Sequence, residues 1–169
     1  MNLISWNFRG GGNTRTVREV VTFIRSHSPV LVFLCETRQK SERVHRLCHR
    51  LGLRGFCGVD NEGQSGGLAL FWNDQLSVEI KDKNSRMIDA YVHASPSNPE
   101  WHLTCVYGEP RTENRHRMWS IISDLRANSN LPWMLTGDFN EALWQCEHLS
   151  ATPRPANQIA AFQEVVQDC

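Results

Sequence analysis

Long apolar runs are missing from this chain: no stretch of about 18 apolar residues occurs, so no membrane span is expected. The opening MNLISWNF has neither a basic stretch nor an extended apolar core, which excludes a secretory signal there and leads us to expect an intracellular, non-secreted protein. CxxC spacing is also absent. The six cysteines (35, 48, 57, 105, 146 and 169) are scattered, mostly inside apolar runs, and read as reduced, buried thiols rather than a disulfide framework. There is no net charge at neutral pH, which argues against binding nucleic acid by bulk electrostatics alone. Internal repeats and low-complexity segments are lacking as well.

What is present is a chain of 169 residues, 40% hydrophobic and 21% charged, enough for one domain with a substantial core. Its charge is unevenly spread. Residues 1 to 54 carry ten Lys+Arg against three Asp+Glu, a balance of +7, whereas residues 55 to 99 and 100 to 169 are acidic by 3 and 4. Arginines outnumber lysines fifteen to three, and the guanidinium fork suits phosphate oxygens. Most of these arginines are expected on solvated helix faces.

Residues 2 to 7 alternate as a strand does, and Gly10-Gly11-Gly12 breaks it into a loop. Val17, Val20, Val21 and Ile24 then form the stripe of a helix over Thr16 to His27, and Val30 to Cys35 is a continuous apolar run suited to a central strand, a βαβ-like opening. A second helix is predicted over Ser41 to Leu51, with Val44, Leu47, Cys48 and Leu51 inward. His45 and His49 beside Cys48 do not make a four-ligand zinc site. From Gly55 to Tyr107 the pattern changes to short strands (GFCGV, GGLALFW, LSVEI, MIDAYVH, WHLTCVY) with turn-rich links such as NDQ and SPSNP, which reads as an antiparallel meander. Helix returns at Glu113 to Asn128 with Met118, Ile121, Ile122 and Leu125 as its stripe. Trp133-Met134-Leu135 reads as a buried strand leading to Asp138. Residues 157 to 169 form a last helix with Ile159, Phe162, Val165, Val166 and Cys169 on its apolar side.

Four predicted strands end on polar residues: Asn7 after LISW, Glu36 after VLVFLC, Tyr107 after LTCV, and Asp138 with Asn140 in GDFN. Each alone has a structural explanation. Asp138 is the strongest, since an acid after a buried strand, with Gly137 freeing the backbone, is poorly placed for packing. Strand ends in mixed folds aim side chains into a shared cleft, and together these residues make an oxygen-rich set. Such a set suits Mg²⁺, which takes one or two carboxylates, keeps some water and accepts a substrate phosphate. Glu36 would hold the metal, Asp138 with Asn140 would orient the attacking water, and Tyr107 and Asn7 would donate to phosphate oxygens.

In order, SWNFRGGG, LCET, SGGLALFW, CVYG and GDFNE resemble the successive motifs of the endonuclease/exonuclease/phosphatase superfamily, and most closely the endonuclease domain of plant LINE-type (non-LTR) retrotransposons. The resemblance covers residues 1–169 as one domain and implies an α/β (α+β) fold, a four-layer αββα two-sheet sandwich. It implies phosphodiester hydrolysis with Mg²⁺ or Mn²⁺, with Asn7 and Glu36 as the metal-side amide and acid, Tyr107 as the phosphate-contacting phenol, and Asp138 and Asn140 positioning the nucleophile. Arg9 and Arg111 are candidate contacts to substrate phosphate. For the LINE case it implies a nick in nuclear DNA whose 3′-hydroxyl primes reverse transcription, with a reverse transcriptase domain or element RNA as further partners.

Arg9 stands where apurinic endonucleases carry an acid two residues after the Asn, so abasic-site specificity is not expected. No Ser-Asp-His motif follows, and His148 comes too early in motif order. The chain is therefore expected to be the N-terminal portion of the domain, incomplete at its C-terminal end, and by itself to show little or no turnover. Two other readings stand beside this one. One is a decayed or domesticated remnant that binds nucleic acid without cutting; the other is a phosphoesterase of the same superfamily acting on a different phosphoester.

Overall fold

The computed structural model of the chain describes residues 2–9, 13–63, 65–93 and 99–169. The expected Gly10-Gly11-Gly12 loop and most of the SPSNP link lie outside the described residues. Contacts divide the chain into two compact units, residues 1–107 with 131–138 and residues 108–130 with 139–169.

The first unit begins with strand β1 (Leu3–Asn7), helix α1 (Thr14–His27) and strand β2 (Leu31–Cys35). The Asn13 side chain caps α1 by accepting the Arg15 N–H, which starts the helix at Thr14, two residues before the expected Thr16. β1 and β2 are parallel, as a helical crossover requires. Every residue of β2 is buried, because both its faces are covered. Val32 and Leu34 pack under Val20, Val21 and Ile24 of α1, while Leu31, Phe33 and Cys35 face a second sheet. This is why the sequence shows a continuous apolar run there rather than alternation.

The expected helix over 41–51 is divided at Arg46 into α2 (Ser41–His45) and α3 (Leu47–Leu51); the Arg46 N–H turns to the Val44 carbonyl. Val44 and Leu51 still reach the core. The stretch read as one meander is shared between two sheets. β3 (Gly55–Glu62) and β4 (Ser65–Trp72) form a hairpin that joins β2, giving the order β1-β2-β4-β3. The chain then crosses at Asn73 to Leu76 into β5 (Ser77–Lys83), β6 (Met87–His93) and β7 (Trp101–Tyr107), and β8 (Trp133–Asp138) completes the order β5-β6-β7-β8. Leu76 is buried at the crossing, where it joins the core between the sheets.

Phe33, Leu68 and Leu70 from the first sheet meet Ile88, Val92, Leu103 and Cys105 from the second to form that core. β8 pairs parallel to β7 and is the terminal strand of its sheet, so it is half-exposed along its length rather than buried, with Met134 40% exposed. On the face of the second sheet turned away from the first, His102, Asp89 and Thr104 are buried together. Asp89 Oδ1 lies 2.7 Å from His102 Nε2 and accepts from the Thr104 hydroxyl, which accepts the Trp133 indole N–H at 2.9 Å.

The second unit is built on α4 (Arg115–Ala127), preceded by a 3₁₀ turn at Thr112–Asn114, and α5 (Ala156–Asp168). Trp119 stacks on Phe162 with ring centres 4.9 Å apart. Trp119 rather than Ile121 therefore completes the apolar face of α4, and Ile121 is exposed. Glu141 is held between Arg115 and Arg154, with Arg154 Nε 3.1 Å from its Oε1.

Candidate active site

Both parallel pairs deliver their C-terminal ends together. Asn7 is level with Cys35 in the first sheet, and Tyr107 is level with Asp138 in the second. β1 also lies against β8. Asn7, Glu36, Tyr107 and Asp138, four of the residues singled out in the sequence, are thereby brought within hydrogen-bonding reach of one another. The Asn7 amide donates to Asp138 Oδ2 at 2.8 Å and to Glu36 Oε1 at 3.4 Å, and the Tyr107 hydroxyl donates to Glu36 Oε1 at 2.9 Å. Arg38 donates to Glu36 Oε2 at 3.1 Å, and Arg9 Nε stands 3.9 Å from the same oxygen.

These contacts set the charge of the group. Burial pushes the Glu36 carboxyl up, but hydrogen bonds from Tyr107, Asn7 and Arg38 outweigh it and hold the carboxyl below its usual range. Glu36 is therefore anionic at neutral pH. Tyr107 moves the other way, pushed up to about 12 by burial and by its bond to the Glu36 carboxylate. It is a fully protonated donor in neutral solution. The Cys35 thiol is pushed up to about 12 by burial and by the nearby carboxylates of Asp138 and Glu36, so it stays protonated and is no nucleophile.

The backbone around the acid is held in uncommon geometry. Glu36 and Arg38 both have φ 52°. The loop is held against β4 by the N–H groups of Thr37 and Arg38, which donate to Gly67 O and Gly66 O at 3.1 and 3.0 Å. Gly67 has φ +84°, and a Cβ there would stand 2.3 Å from Thr37 Oγ1, so the paired glycines of SGGLALFW are the seat of the Glu36 loop. The sequence reading missed that role, and with it Arg38. The signal was available in two adjacent glycines interrupting a strand. Gly137 has φ +142° and lies so close to β7 that a Cβ would meet Val106 O at 1.9 Å.

Asn140 and Arg111 belong to the second unit. Asn140 has φ 54° and donates from Nδ2 to Gly108 O at 2.8 Å; Arg111 is exposed, and its backbone N–H donates to Glu109 Oε1 at 3.0 Å.

Residues 4–156 match the model of the endonuclease/exonuclease/phosphatase family. The chain belongs to that family. Its members are hydrolases that include phosphodiesterases and nucleases, and the two mixed sheets with their helices are the family's α+β sandwich. Among solved structures the fold is similar to the AP endonuclease LMAP from Leishmania major (TM-score 0.70, 15% identity, covering 98% of this chain and 66% of that one). It is likewise similar to the 3′ phosphatase NExo from Neisseria bound to product DNA hairpin (0.71, 14%, 98% and 70%). TDP2 from D. rerio, complexed with single strand DNA product, is a third (0.62, 19%, 83% and 60%). The chain thus spans about two thirds of the length of the structures it matches. No curated protein sequence shows significant similarity to it.

Proposed function

We propose that this chain is a Mg²⁺-dependent DNA endonuclease of the LINE retrotransposon type, with residues 1–169 forming a domain of that kind. One observation carries the reading: a single amide, Asn7, bridges two carboxylates, Glu36 and Asp138, at the ends of three strands. Two acids sharing one neutral side chain repel each other, and a hard divalent cation is what such an oxygen set suits. Glu36, with Asn7 beside it, would hold Mg²⁺ or Mn²⁺, which when bound polarises a phosphoryl oxygen and stabilises the leaving oxygen.

The protein's own groups supply the rest. Asp138, oriented by the Asn7 N–H, aligns a water on the phosphorus and takes its proton. The bond from phosphorus to the 3′ oxygen breaks as the water oxygen bonds, and the leaving 3′ oxygen takes a proton from solvent, giving a 3′-hydroxyl and a 5′-phosphate. Tyr107 positions Glu36 through its one O–H, which would have to leave that carboxylate to serve a phosphate oxygen as negative charge builds. Arg9 sits at the mouth of this group, and its side chain is 76% exposed, suited to a substrate phosphate; Arg111 and Asn140 are assigned the same phosphate-contacting and nucleophile-positioning roles as in the sequence reading. DNA as substrate, a nuclear setting, and reverse transcriptase or element RNA as partners rest on the motif series and on Arg9 replacing the acid of apurinic endonucleases.

Among the described residues no group of three or more His, Cys, Asp or Glu is arranged to hold a metal. Mg²⁺ needs only one or two carboxylates, so the alternative, a chain that holds nucleic acid without cutting it, draws instead on the +7 balance of residues 1 to 54. Nicking of supercoiled plasmid in Mg²⁺ separates the two. The chain should convert plasmid to open circles, and Glu36→Ala and Asp138→Ala should each slow this by roughly 100-fold or more. Plasmid binding with no nicking would move the assignment to the non-cutting reading, and turnover of inositol phosphates in place of DNA would move it to another phosphoester.

A further inference from the structure

A groove of about 240 Å³ opens between α1 and the α2–α3 pair. Phe8 and Val17 line it together with Gln39, Arg43, Arg46 and Arg50. It begins one residue beyond the strand-end group on two sides: Phe8 follows Asn7, and Gln39 follows Arg38, the ion-pair partner of Glu36. The three arginines are exposed, so they are held for neither packing nor core electrostatics. Among the described residues Arg43 and Arg50 have no acidic partner, and Arg46 has only a loose contact, 3.9 Å from Glu42, with both side chains mostly exposed. By contrast Arg15, Arg38 and Arg54 are ion-paired at 2.9, 3.1 and 3.5 Å.

Resting on the proposed hydrolytic reading, we infer that this groove is a backbone track for a nucleic-acid strand running away from the strand-end group, so that the substrate is a polynucleotide and not a small phosphoester. Spacing supports this. Arg43 in α2 and Arg50 in α3 flank Arg46 at the junction of the two helices, and at roughly 1.5 Å per residue they span about 10 Å, a length that covers roughly three nucleotides of a strand. A small phosphoester needs one phosphate site, not a line of three exposed guanidinium forks, two of them without an acidic partner among the described residues. The forks can each take a phosphate oxygen pair, while the half-buried Val17 and Leu47 offer apolar surface for sugars beside them.

The test is fluorescence anisotropy of a labelled DNA duplex in EDTA, titrated with the full chain over roughly 50 to 200 mM salt. The groove triple variant (Arg43→Ala, Arg46→Ala, Arg50→Ala) is compared with wild type and with a control triple, Arg25→Ala, Arg54→Ala and Arg117→Ala, that removes the same charge elsewhere. We expect the groove variant to bind at least ~10-fold more weakly at low salt, with the slope of log affinity against log salt reduced by up to about 2.7, at about 0.9 per lost phosphate contact. The control should change both far less, and hydrolysis of a small bis-aryl phosphodiester in Mg²⁺ should be the same for the groove variant and wild type. Wild-type affinity and slope in the groove variant, equal losses in both triples, or salt-independent binding by wild type would each overturn the track. If the arginines matter for binding while wild type hydrolyses neither plasmid nor the small ester, the hydrolytic reading fails and the track stands.

Discussion

Replacing Tyr107 with Phe removes one oxygen and leaves the ring in place, with Arg86 still stacked over it at 5.4 Å. The lost interaction is the 2.9 Å hydrogen bond to Glu36 Oε1, with Tyr107 only 4% exposed. Hydrogen bonds to an ionised group contribute about 1.5–3 kcal/mol, so the variant should lose roughly 2 kcal/mol at pH 7 and melt some 4–8 °C lower, at about 2–4 °C per kcal/mol for a chain of this size. The pH dependence is more diagnostic than the size. In the unfolded chain the phenol titrates near 10.0, whereas in the fold it is pushed up to about 12. Between those values the folded state keeps a proton that the unfolded state has lost, so stability is full below pH 10 and falls as pH rises to 12. That displacement corresponds to roughly 3 kcal/mol. Buried thiols fall away in the same range, but they are common to both proteins, so the difference between wild type and variant isolates the phenol. At the acid end the sign reverses. Glu36 titrates below its usual value in the fold, so its contribution is present above about 4.5 and is lost as pH falls through the folded value; removing one of its three donors moves that loss to higher pH. Guanidinium unfolding at pH 4, 7 and from 10 to 12, with Glu36→Gln and the double variant closing a cycle, measures all of this. A Tyr107→Phe protein within about 0.5 kcal/mol of wild type at pH 7, with the same alkaline slope, would refute the assignment.

Two further perturbations probe the frame behind the group. Gly137→Ala puts a Cβ 1.9 Å from Val106 O at φ +142°, where the alternative is a shifted β8. A loss of about 2–5 kcal/mol in denaturant is expected, and an unchanged midpoint would show that the β7–β8 approach is looser than described. Asp89→Ala strips the acceptor shared by buried His102 and Thr104; calorimetry should show a loss of about 3 kcal/mol or more, near 6–12 °C, and a shift under ~2 °C would mean the network contributes little.

Much of this architecture could be read along the chain. The stripe Val20, Val21 and Ile24 and the unbroken run of β2 announced a helix over a doubly covered strand, and both became that. MIDAYVH and WHLTCVY became β6 and β7 with the expected bounds. Where the reading slipped, the cause was non-local. The five short strands were expected as one meander, yet which sheet a strand joins is decided by partners distant in sequence, and β4 pairs with β2 as well as β3. Trp133 to Leu135 has the composition of a buried strand, but its place at the edge of the order β5-β6-β7-β8 leaves it half-exposed. The Ser41 to Leu51 stripe marks which residues face inward, not that the helix is interrupted at Arg46.

For the candidate site, residue types and strand ends were local facts, and local facts travel in sequence. Asn7, Glu36, Tyr107 and Asp138 each end or follow an apolar strand, because a strand that stops must place its next polar side chain outside the core. Their motif order carried the family. What only the tertiary structure decided was distance and charge: that Asn7 reaches an acid 131 positions away, that Glu36 stays anionic despite partial burial, and that its loop rests on Gly66 and Gly67. It also decided that three arginines, which in sequence only decorate a helix, line a groove beside α1. Such properties depend on which surfaces come within a few ångströms, and that is set by the pairing and packing of segments far apart along the chain.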